Sequence, residues 1–261
     1  MRCLVEGEGP PVLLVHGFPM GHAMWRAQIA SLSGVRIIAP DLRGFGGSEL
    51  GVIHEGQGVS MERYADDLAA LLDALGVDEP VVYCGFSMGG YVGWQFLKRH
   101  RERVRALVVC DSRPEADDED GRANRLKMAE KVGEWGSAML AEAMTPKLFA
   151  AETLENDPKL VAWMADMMGS NSPQAIAAAL LGMAARPDVT GDLADFDLPT
   201  LAICGDQDAL TPPDVMRGMA EAMPKAEFVL VEGAGHMAPA EKPVEVNSAI
   251  EKFLESLPPI G

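Results

Sequence analysis

"PVVYCGFSMGGYVGWQFLKRH", residues 80–100, joins an apolar run to a helical pattern through a turn that sets one serine between glycines. The run "PVVYCG" (80–85) is apolar throughout, as a strand covered on both faces would be. "SMGGYVGWQFLKRH" (87–100) ends in basic residues, which suit a helix C-terminus. Gly85-Phe86-Ser87-Met88-Gly89 therefore falls at a strand-to-helix junction. Small residues two positions either side of Ser87 let such a turn close and lift its hydroxyl above the sheet edge. The N–H of Met88 then opens a helix, where developing negative charge is stabilised. In a chain with 27 glycines the G-x-S-x-G string alone means little. Its position between strand and helix gives it meaning.

The same alternation extends outward. "PVLLVHG" (11–17), "VRIIAPD" (35–41), "VRALVVCD" (104–111), "PTLAICGD" (199–206) and "EFVLVEG" (227–233) are further strand candidates. "MERYADDLAALLDAL" (61–75) and "PVEVNSAIEKFLESL" (243–257) carry helical periodicity. The pattern predicts an α/β fold, a mostly parallel sheet flanked by helices. Residues 113–190 break it, with no convincing strand and much alanine, methionine and leucine. That stretch is too long for a loop and reads as a helical insertion between two strands, dividing a core of 1–112 and 191–261.

A serine hydroxyl needs a base before it can act as a nucleophile. His100 ends a basic helix, His54 lies in a Gly-rich loop, His22 precedes an amphipathic helix and His16 adjoins Gly17 at a strand end. His236, in "VEGAGHMAP", follows the last strand, so its loop faces the same crevice as Ser87. His236 is the expected base. A carboxylate must then hold the imidazole in its productive tautomer. "GDQDALTPP" offers Asp206 and Asp208; Asp208 lies further into the loop, whereas Asp206 beside the strand end suits a turn. Asp111, at the end of another strand, is the rival.

Composition narrows the partners. Thirty-nine acidic against 22 basic residues give a net charge of −17, which repels phosphate backbones and anionic lipid headgroups. Neither nucleic acid nor membrane insertion is expected, and no apolar run is long enough to span a bilayer. The four cysteines (Cys3, Cys84, Cys110, Cys204) lack metal-ligand spacing and read as core thiols, so no metal is expected. With no secretory signal in "MRCLVEGEGPPVLLVHG", a cytoplasmic location is expected. Composition does not choose between a monomer and a homo-oligomer.

The order Ser87, Asp208, His236 is that of the α/β-hydrolase fold. "LLVHGFPM", "APDLRGFGGS", "GFSMGG", "ICGDQDALTPP" and "GAGHMAP" resemble that family's motifs in the family's order. The resemblance implies that 113–190 is a helical cap inserted after the sixth strand of the family sheet. It also implies that the N–H of Phe18 joins that of Met88 in an oxyanion hole, and that no cofactor is needed. Only fifteen residues precede the His16–Gly17 pair, so the family's first hairpin is expected to be shortened or missing.

The resemblance implies a serine carboxylesterase acting on a small-molecule ester or lactone of modest size. A 3-oxoadipate enol-lactonase-like enzyme, a perhydrolase or haloperoxidase-like enzyme and a non-catalytic ligand-binding member are the alternatives. Ser87 excludes relatives that use an aspartate nucleophile. Phe86 and Met237, beside the serine and histidine, are expected to line the pocket with Trp135 and Trp163 of the cap. Seven of the sixteen methionines (128, 139, 144, 164, 167, 168, 183) fall in the cap and suit an adaptable apolar lining or simple helix packing. Arg113, Arg122, Arg125 and Arg186 are expected on a wet face, pairing with nearby acids.

Overall fold

The computed structural model describes residues 1–54 and 56–259. Seven strands form one sheet: β1 (Cys3–Glu6), β2 (Pro11–Val15), β3 (Arg36–Pro40), β4 (Val81–Phe86), β5 (Val104–Cys110), β6 (Thr200–Gly205) and β7 (Ala226–Val231). Their order is β1-β3-β2-β4-β5-β6-β7. Only β1 runs antiparallel, with Cys3 opposite Pro40 of β3. β1 thus forms one antiparallel edge of the sheet, and the helical insertion follows the fifth strand of this chain.

Side chains leave successive strand residues on opposite faces, and here both faces are covered. Leu13, Val15, Tyr83, Leu107 and Ala202 pack with α2 (Met61–Ala74), α3 (Met88–Arg99) and α9 (Pro213–Glu221). Val12, Leu14, Val82, Cys84, Val108 and Ile203 pack on the other face with Trp25, beside α1 (Arg26–Ser31), and with α10 (Ala238–Glu241) and α11 (Pro243–Ser256). This double burial is why the strands are apolar throughout. Each fully buried aliphatic side chain contributes roughly 1.5–3 kcal/mol.

Between β5 and β6 come α4 (Glu119–Trp135), α5 (Ser137–Leu148), α6 (Ala151–Asn156), α7 (Pro158–Gly169) and α8 (Pro173–Ala184). Their starts are written in the sequence. Asp118, Asp157 and Ser172 accept from the backbone amides of Gly121, Leu160 and Ala175, and proline opens α7 and α8. Each such cap contributes about 1 kcal/mol. All four cysteines are unpaired. Among the described residues no helix is long and apolar enough to cross a membrane.

Candidate active site

The turn at Ser87 is built by its glycines. Ser87 itself has φ 50° and ψ −113°, between β4 and α3. A Cβ on Gly85 would stand 2.5 Å from the Gly89 carbonyl oxygen, and one on Gly89 would stand 2.3 Å from that of Val15. Any side chain at either position would drive strand and helix apart. Ser87 N donates to Cys110 O at 2.9 Å, and the Ser112 hydroxyl donates to Ser87 O at 2.7 Å. One backbone bond to the end of β5 and one from the Ser112 hydroxyl thus lock the strained residue.

His236 and Asp208 reach Ser87 from loops after β7 and β6. The imidazole Nε2 lies 3.0 Å from Ser87 Oγ, and Nδ1 lies 2.8 Å from Asp208 Oδ2. Asp208 Oδ1 accepts from the amides of Leu210 (2.8 Å) and Thr211 (2.9 Å). With Nδ1 donating to the carboxylate, Nε2 is the lone-pair nitrogen facing the serine hydroxyl. Asp208 and His236 are both buried. Asp206 is exposed and accepts from the Gly233 amide.

The other histidines are occupied elsewhere. His16 Nδ1 donates to Gly17 O and its Nε2 accepts from Leu42 N, each at 2.8 Å. Complete burial pushes its pKa down to about 4 and keeps it neutral, which matches one donor and one acceptor nitrogen. His22 meets Asp41, and His100 meets Asp66. His16 thereby fixes the chain leading to Phe18. As the first residue of α3, Met88 has no intrahelical acceptor for its N–H, and the N–H of Phe18 has no acceptor among the described residues. These are the two amides expected to hold an oxyanion.

Asp111, the rival carboxylate, lies beside Asp208 and makes no bond to His236. It is buried, with φ 47°. Its Oδ1 accepts from Gly205 N at 2.9 Å, while Oδ2 has no partner. Asp111, Cys204 and Asp208 each place one donor atom within 4.8 Å of the others. Asp208 is already committed to His236 and two amides, so this trio makes a poor metal cradle. Burial first, and then the charge of Asp208, raise the Asp111 pKa well above the usual carboxylate range. Burial and its neighbour thus favour the proton-bound form of Asp111.

Ser87 and His236 open into a cavity of about 380 Å³ lined also by Phe18, Tyr91, Met128, Trp135, Leu140, Met144, Leu148 and Met183. Three of the expected pocket residues lie elsewhere. Phe86 points to the opposite sheet face, its ring 6.4 Å from that of Trp25 and 5.2 Å from the His236 ring. Met237 is buried in that same face, next to His236 in sequence but turned away from the cavity. Trp163 packs beneath the Arg26 guanidinium, 3.7 Å from its ring centroid. Of the methionines in the helical insertion, Met128, Met144 and Met183 face the cavity, Met164 and Met168 are core, and Met139 is exposed.

The arginines also depart from the wet-face expectation. Arg113 and Arg125 line the cavity, with Lys147. Arg125 is paired with Asp117 at 2.6 Å, and Arg186, buried, meets the same carboxylate at 2.8 Å. Arg113 donates to the Leu210 carbonyl. Among the described residues the lysine ion pairs are Lys98–Asp192 and Lys225–Asp197, and Lys147 is in neither. Arg122 alone of the four is exposed to solvent as expected.

A sheet of this order, with serine, aspartate and histidine gathered at its carboxyl edge, defines a hydrolase architecture. The chain belongs to the alpha/beta hydrolase fold family, whose model matches residues 10–243. It is similar to a thermophilic esterase from Thermogutta terrifontis, solved with malate bound (41% identity, TM-score 0.94, covering 98% of this chain and 93% of that one). It is similar too to the enol-lactonase from Burkholderia xenovorans LB400 (25% identity, TM-score 0.88, covering 98% and 96%). A pimeloyl-[acyl-carrier protein] methyl ester esterase from Aeromonas hydrophila is 29% identical over 256 residues, 95% of this chain and 96% of that protein.

Proposed function

We propose that the chain is a serine hydrolase that cleaves carboxylic esters through an acyl-enzyme on Ser87. The continuous relay from Ser87 Oγ through His236 to Asp208 carries this reading. His236 Nε2 takes the hydroxyl proton as Ser87 Oγ bonds to the acyl carbon. Asp208 stabilises the imidazolium so formed. The N–H groups of Phe18 and Met88 hold the oxyanion, a donor of this kind contributing about 10²–10³ in rate. The imidazolium then protonates the departing alcohol, and water, activated by the same base, releases the acid and restores Ser87. No step requires a cofactor.

Residues 113–190 act as the cap, with α4, α5 and α8 supplying Met128, Leu140, Met144 and Met183 to an apolar acyl or alcohol site. The unpaired cysteines suit a reducing cytoplasm. Short-chain nitrophenyl esters and a fluorophosphonate probe test the reaction. Turnover and labelling are expected in the wild type and lost in Ser87→Ala. Undiminished turnover in that variant ends the reading.

A second reading narrows the substrate. In a chain of net charge −17, three cations (Arg113, Arg125 and Lys147) face the cavity against Asp117, a carboxylate already shared by two arginines. An ester or lactone bearing its own carboxylate fits that lining. The malate in the Thermogutta esterase and the enol-lactonase likeness support it.

A further inference from the structure

Glu241 lies on α10, five residues beyond His236, and both of its carboxylate oxygens are taken by backbone amides from separate parts of the chain. Oε1 accepts from Gly235 N and Oε2 from Ala150 N, each at 2.8 Å. Gly235 is the residue before His236. Ala150 caps α6, directly after α5, whose Leu140, Met144 and Leu148 line the cavity. The two segments also touch without an intermediary. Met237 N donates to Leu148 O at 3.1 Å, and a Cβ on Gly235 would stand 2.5 Å from Ala150 N. Burial raises the proton affinity of Glu241, while the Thr153 hydroxyl and the donated amides oppose that rise. A carboxylate half-withdrawn from water persists here because its oxygens have fixed donors.

We propose that Glu241 is a positioning residue: by holding Gly235 and Ala150 with its two oxygens, it seats the His236 imidazole against the end of α5, so that the base and this wall of the cavity move as one body. This rests on the reading of His236 as the base. Alpha-helix α5 then does more than shape the substrate site, because its last turn sets the register of the histidine loop. A displacement at the α5–α6 junction would be transmitted to the Nε2–Oγ distance through one side chain.

Glu241→Gln keeps the size but turns an NH₂ group toward one of the two amides, so one of the two bonds is lost. Glu241→Asp keeps the charge but is one methylene too short to reach both. Each variant is expected to lose about ten- to a hundredfold in kcat, as small misplacements of catalytic groups do, with KM within twofold of wild type. Fluorophosphonate labelling of Ser87 should slow in parallel. Ser137→Ala is the comparison, since it removes a buried hydroxyl that donates to Asn171 O in the insertion without touching the clamp. It should lower Tm and leave kcat unchanged. Wild-type kcat in either folded Glu241 variant overturns the proposal, as does a loss in kcat no greater than Ser137→Ala shows at equal loss of Tm. Failure of the hydrolase reading is distinct, because Ser87→Ala would then remain active whatever Glu241 does.

Discussion

The carboxyl groups of Asp111 and Asp208 share one buried space, yet only Asp208 has a full set of donors. Asp208→Asn should therefore lower kcat/KM by about 10³–10⁴, the cost of losing the tautomer-holding carboxylate. Asp111→Asn should stay within a few-fold of wild type at neutral pH, because Asp111 makes no bond to His236 and an amide resembles the proton-bound acid that burial favours. Steady-state kinetics on a nitrophenyl ester compare the two; equal losses would overturn the assignment of Asp208 alone as the partner of His236.

The same residue governs a pH trend. Asp111 gives up its proton near the ordinary carboxylate range when unfolded and keeps it when folded, its pKa being raised by burial and by Asp208. Between those two values the native state binds more protons, so this site weakens stability as pH rises. Asp111→Asn removes that penalty. Its Tm relative to wild type should climb from pH 4 to pH 7, read by thermal melts at each pH.

His16 acts in the opposite direction. Its pKa is pushed from 6.5 to about 4 by burial, so the unfolded chain binds the extra proton first. The stability it contributes is complete above pH 6.5 and is lost as pH falls toward 4, a span worth about 3 kcal/mol. Urea denaturation should show His16→Gln less stable at pH 7 and with a shallower decline on acidification.

Gly89→Ala tests the turn. The added Cβ would press on the Val15 carbonyl, and relief by backbone movement should cost about 1–3 kcal/mol. Denaturation should register that loss, with ester hydrolysis falling further than stability because Ser87 is displaced.

The cationic lining makes a salt-sensitive prediction. Esters bearing a carboxylate should be hydrolysed with kcat/KM that falls as ionic strength rises, while neutral esters of equal length are indifferent. Lys147→Met should remove several-fold of the preference for the charged ester. Identical salt profiles for both substrates would dispose of the acidic-ester reading.

Much of this was legible in the sequence because the sheet and its loops are local devices. Apolar runs, the helical periodicity of 61–75 and 243–257, and the turn at Ser87 each announce themselves within a few residues. The order of the loops then brought Asp208 and His236 to the serine. What escaped depended on direction and on distant partners. Phe86 and Met237 adjoin Ser87 and His236 in sequence but face the other way, a matter of strand pleat and loop path. Arg113 and Arg125 follow the pattern of a solvated helix start, yet α4 places Arg125 over the cavity and the Leu210 carbonyl holds Arg113 at its rim. Glu241 sits in a segment with no motif, and its meaning appears only when Ala150, 91 positions earlier, is placed beside it.

Ser87 and Asp111 are, among the described residues, the two non-glycine residues with left-handed backbone, and they end the adjacent strands β4 and β5. Each such residue holds of order 1–3 kcal/mol of conformational tension. Glycine at either place would relax the chain, and at Ser87 it would delete the proposed nucleophile outright. The fold is therefore loaded like a spring directly beneath Ser87 Oγ, and efforts to make this protein more heat-resistant have to seek their gains away from those two strand ends.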